Sequence, residues 1–125
     1  MIYADIGSFD LENSRINGVL RSDSEITISF QSIFFKSNKH QANEQLNAVV
    51  RLSNVTSESA TQHLGSGVEK PAELSGCPID IVEFASIENG ILNLQGYKNN
   101  APWFCWEISA LSITIEWGEN RATAT

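Results

Sequence analysis

Long apolar runs are missing from this chain. None approaches the roughly 20 residues that cross a bilayer as a helix, so no membrane-spanning helix is expected. The opening Met-Ile-Tyr-Ala-Asp-Ile-Gly-Ser-Phe-Asp has neither the basic start nor the apolar block of a secretory signal, and the expected compartment is the cytoplasm. Cysteine is scarce: Cys77 and Cys105 are the only two, at a spacing that matches no zinc or redox motif. In a reducing compartment they read as free thiols acting as small apolar side chains, with a disulfide as the alternative. Histidine is as scarce. His40 and His63 both sit in polar sequence, with no His-x-His, His-Glu-x-x-His or nearby cysteine to complete a metal site. Gly-x-Ser-x-Gly, the P-loop and Gly-x-Gly-x-x-Gly are absent, and Gly65-Ser66-Gly67 reads only as a flexible loop. The expectation is a protein without metal or cofactor, and not an enzyme.

Basic residues are nearly missing from one long stretch. Residues 71–120 carry Glu73, Asp80, Glu83, Glu88, Glu107, Glu116 and Glu119 against Lys98 alone, and the whole chain has a formal charge of −7. A surface of one sign repels phosphate backbones and attracts basic partners at a raised encounter rate, so nucleic acid is not an expected partner. Acidity of this kind also simply keeps proteins in solution.

What is present is strand pattern. In 125 residues there is room for one domain, 1–125, that buries roughly two-thirds of its unfolded surface without a metal or disulfide. Leu111, Ile113, Ile115 and Trp117 alternate with Ser112, Thr114 and Glu116, the period of a strand with one dry face. Strands are also expected over 14–20, 26–35, 46–55, 79–85, 91–97 and 103–109. Within 26–35 the apolar phase shifts after Gln31-Ser32, which predicts a β-bulge or a bend. Asn89-Gly90 predicts a type I′ hairpin turn, since both central residues of that turn need positive φ. Residues 37–45 read as a polar loop and 118–125 as a polar tail. Residues 56–76 have no periodicity and read as a long loop, with room for one short helix from Ser57 to Leu64. About seven strands and at most one short helix predict an all-β, antiparallel β-sandwich or partly open β-barrel.

Paired acids could support general acid–base work at Asp10 and Glu12, Asp23 and Glu25, or Asp80 and Glu83, but exposed acids fall into such pairs on any acidic surface. Asn54-Val55-Thr56 fits the glycosylation pattern, a coincidence without a secretory route. The aromatics offer an alternative: Tyr97, Trp103, Trp106 and Trp117 could stack sugar rings. Trp103 and Trp106 have opposite parity, so one is core and the other partly exposed.

A small, acidic β protein with an early "INGV…EITISF" hairpin and a late "LQGY…WFCWEISALSITIEW" ending resembles the immunity proteins that bacteria make against polymorphic and contact-dependent growth-inhibition toxins. The resemblance implies a cytoplasmic inhibitor that binds the C-terminal domain of its cognate toxin, often a basic nuclease, with acidic side chains steering the encounter. It carries over no binding residue, because no motif aligns. The partner-binding candidates therefore rest on charge and on the 56–76 segment: Glu58, Glu69, Glu73, Asp80, Glu83 and Glu88. The alternative is a carbohydrate or small-ligand binding β module that uses exposed aromatics.

Overall fold

A computed structural model describes residues 2–4, 9–35, 46–65, 67–72, 74, 76–98 and 103–119. The polar 37–45 segment with His40, Glu73, and residues 120–125 of the expected tail lie outside the described residues. Among the described residues the strands are β1 (Ile2–Ala4), β2 (Phe9–Asp10), β3 (Arg15–Ser22), β4 (Glu25–Phe35), β5 (Leu46–Gly65), β6 (Val68–Pro71), β7 (Ile81–Glu88), β8 (Ile91–Tyr97) and β9 (Trp103–Glu119). The described residues form no helix long and apolar enough to cross a membrane.

The pairings are antiparallel, and they run nearly full circle. β3 pairs β4, β4 pairs β5, β5 pairs β9, β9 pairs β8, and β8 pairs β7. β7 then meets β3 at Arg15↔Ile81. Ile16 N donates to Asp80 O and Val82 N to Ser14 O, both at 2.9 Å, to make this short closing seam. The fold is all-β, a single sheet drawn into a partial ring rather than a regular barrel. β6 continues the sheet beyond β5, β1 lies on β9, and β2 lies on β4.

The alternation seen in sequence accounts for the core. Ile26, Ile28 and Phe30 of β4 face Ala48, Val50 and Leu52 of β5, while Leu92 and Leu94 of β8 lie against Ile108 and Trp106 of β9. The phase shift after Gln31-Ser32 is a real irregularity: the β4–β5 register steps between Phe30 and Ile33, and both side chains are buried. The Asn89-Gly90 turn has φ of 52° and 77°, as its type requires.

Three sequence expectations change. Residues 57–64, read as loop or short helix, lie inside β5, which runs on to Gly65 and turns back into β6. Residues 103–109 and 111–117, read as two strands, are one strand that continues through Gly118 to Glu119. Along β9 the inward positions are Trp106, Ile108 and Ala110 and then, after a phase change, Ile113 and Ile115. Leu111 is 78% exposed, so it does not share a buried face with Ile115. The cause lies on the paired strand. Asn54 takes a left-handed φ of 55° opposite Leu111, and the β5–β9 register then steps between Val55 and Ser57. The side chain of Trp117 is outside what is described.

At Gly96 the backbone of β7 lies hard against β8. A Cβ there would lie 1.9 Å from the Ile81 carbonyl oxygen, beside the register step between Val82 and Phe84. No residue larger than glycine fits without moving backbone.

Candidate functional site

The second half of β5 and the first half of β9, with β7 and β8, make a sheet whose inner face packs the core and whose outer face is open. Strand parity sorts the side chains. On β8, Leu92 and Leu94 point in, so Asn93 and Gln95 point out. The register sets Ser86, Asn93, Glu107 and Ser59 in one row across the sheet, and Phe84, Gln95, Cys105 and Thr61 in the next. At one end Tyr97, Trp103, His63 and Glu69 continue the pattern onto β6.

Side-chain hydrogen bonds tie these rows together. The Trp103 indole N–H donates to Gln95 Oε1 at 3.3 Å. Gln95 Nε2 donates to Asn93 Oδ1 at 3.4 Å, and Asn93 Nδ2 donates to Glu107 Oε2 at 3.2 Å. The Tyr97 ring meets Trp103 edge-on at 5.0 Å, and His63 Nδ1 lies 3.3 Å from Glu69 Oε2. The ladder holds amides, an indole and a carboxylate in set orientations, so these groups have little side-chain freedom left to lose. Phe84 and Ile91 are exposed on the same face. Residues 57–63, 81–97 and 103–110 include no Lys or Arg.

The charge-based candidates do not converge. Glu69 is exposed at the Trp103 end of the face and Glu88 at the other, opposite Ile91. Glu83 is exposed at the β7 irregularity. Asp80 is half-buried beside the β3–β7 seam. Glu58 turns inward. Its carboxylate binds Arg21 through Nε at 3.1 Å and Nη2 at 2.6 Å, and accepts the Trp106 indole N–H at 2.8 Å. The Arg21 guanidinium also lies 5.9 Å from the centre of the Trp106 ring and donates to Gly76 O at 2.9 Å. A charge-assisted bidentate pair with its acceptors satisfied braces the ring from within and leaves Glu58 no role as a surface acid. Of the two tryptophans left open by parity, Trp106 is the core residue and Trp103 the half-exposed one.

Glu107, Asn93 and Gln95 were not among the candidates. Asn93 and Gln95 were visible as the polar alternates of Ile91–Tyr97, and Glu107 as an alternate of Trp106 and Ile108. Only the long-range pairing brings them together.

Cys77 and Cys105 are free thiols. Burial pushes both above the ordinary thiol value, so neither has the exposed thiolate character of a nucleophile. Among the described residues no three His, Cys, Asp or Glu side chains are grouped as metal ligands.

No protein-family model, no curated protein and no solved structure matches this chain.

Proposed function

We propose that this protein is a non-enzymatic binding module, an immunity-type inhibitor that docks a basic partner protein on the outer face of β7, β8, β9 and β5. The observation that carries the reading is the Trp103–Gln95–Asn93–Glu107 ladder, held on a face with Glu88 and Glu69 at its ends and no Lys or Arg between them. Acids at the rim steer a basic partner into register, while Trp103, Phe84 and Ile91 supply apolar contact. The cognate partner of such a module is a toxin domain encoded beside it. Co-expression with the neighbouring gene product, followed by co-purification, tests this. A basic partner that is retained, and released by salt, supports it; a neighbour that is no toxin, together with no retained basic protein, overturns it.

A second reading has its own observation. Trp103 is half-exposed and fixed by Gln95, beside Tyr97, His63 and Glu69, which is the set of groups that stacks and hydrogen-bonds a sugar ring. Saturable tryptophan-fluorescence shifts with glycans, and no salt-sensitive protein partner, favour it over the first.

A further inference from the structure

A groove of 490 Å³ opens at one end of the ring, on the opposite side of the sheet from the docking face. Gln62 and Phe104 reach it from the inner face of β5 and β9, which pair at that position. Pro71 and Ala72, Cys77 and Pro78 form much of its wall. Its charged lining residues are Lys70 and Lys98.

That charge is unusual for this chain. Acids outnumber bases 15 to 8, and of the three described arginines Arg21 and Arg51 are ion-paired while Arg15 is exposed on β3. Lys70 and Lys98 have no carboxylate partner among the described residues, and both lie on this one groove. The wall is also braced. Lys98 Nζ donates to Cys77 O at 2.6 Å, and Arg21 Nη1 donates to Gly76 O at 2.9 Å, so the 76–78 segment is pinned through its carbonyls from two sides. An ammonium has three donors. The bond to Cys77 leaves two on Lys98, and Lys70 brings three more. Apolar walls with a few placed polar groups, in a volume of this size, are what small-molecule sites have in common.

We propose that the groove binds a small organic anion, a carboxylate or phosphate monoester on a flat apolar body. The head takes donors from Lys70, Lys98 and the Gln62 amide, and the body lies against Phe104 and the prolines. This site is separate from the docking face in position and in sign of charge, and does not depend on that reading.

The test is a titration followed by amide chemical shifts, on the full chain. The probes are benzoate and phenyl phosphate, with neutral benzamide as the control. Saturable shifts at Gln62, Ala72 and Phe104 with either anion, and none with benzamide, are expected. Whichever anion binds more tightly identifies the head. Lys70 is exposed and makes no contact that the fold needs, so Lys70→Gln is expected to fold and to weaken the anion at least about threefold, the order of one half-exposed charge contact. Raising salt is expected to weaken it further. Absence of saturation up to tens of millimolar, equal shifts with benzamide, or unchanged affinity in folded Lys70→Gln would each overturn the proposal.

Discussion

Single residues set limits that the rest of the fold must respect. At Gly96 the adjacent backbone occupies the space of a side chain, and relief requires β7 to move away from β8. Gly96→Ala is expected to destabilise the protein by about 3 kcal/mol or more, measured as a lower denaturant midpoint at unchanged slope. At Cys77 the effect is on protons. Burial raises the folded-state thiol above its unfolded value, so the folded chain holds this proton more tightly. The sign follows: this contribution is complete below the ordinary thiol value, about 8.5, and is lost as pH rises through the folded-state value. Stability measured across pH 7 to 10 should fall at the alkaline end, and Cys77→Ala should flatten part of that fall.

Elements show which patterns a sequence displays and which it conceals. The Asn89-Gly90 hairpin, the phase shift in β4 and the alternation of Ile91–Tyr97 were legible because each is local: a turn type or a period of two is enough. The second half of β5 was not legible. Its inward positions are Glu58, Ala60 and Gln62, because the space they face holds Arg21, the Trp106 indole N–H and the groove instead of oil. A strand with a polar interior has no hydrophobic alternation to read. Asn54 conceals the rest by reversing the phase of β9 from across the ladder. The consequence can be measured. Leu111→Ser should change stability by less than about 0.5 kcal/mol, and Ile115→Ala should cost about 2–4 kcal/mol. Equal losses would restore the common buried face that simple parity suggests.

At the scale of the molecule, the ring is uneven. β5 and β9 pair over nearly their whole length, from Leu46↔Glu119 to His63↔Trp103, whereas β3 and β7 meet at one residue pair. Opening should therefore begin at the seam. In native-state hydrogen exchange the amides of Ile16 and Val82 should exchange through a lower-energy opening than those of Val50 and Ile115. The same geometry divides the described surface by charge. Strand pairing that joins residues distant in sequence assembles an outer face without Lys or Arg among its described residues and, behind it, an end groove lined by Lys70 and Lys98. Charge counts along the chain pointed to an acidic second half. They could not separate Glu58, drawn inward by Arg21, from Glu107, set outward in the ladder.

The proposed docking of a basic protein on the outer face of β7, β8, β9 and β5 can be tested directly. Its most direct test is the affinity of the partner encoded by the neighbouring gene for the wild type and for Glu88→Lys/Glu107→Lys, at low and high salt. Both side chains are exposed, so the variant should remain folded by circular dichroism. Docking on this face predicts a loss of at least about tenfold in the variant, and a weaker salt dependence than in the wild type. Unchanged affinity and salt dependence in a folded variant would contradict it.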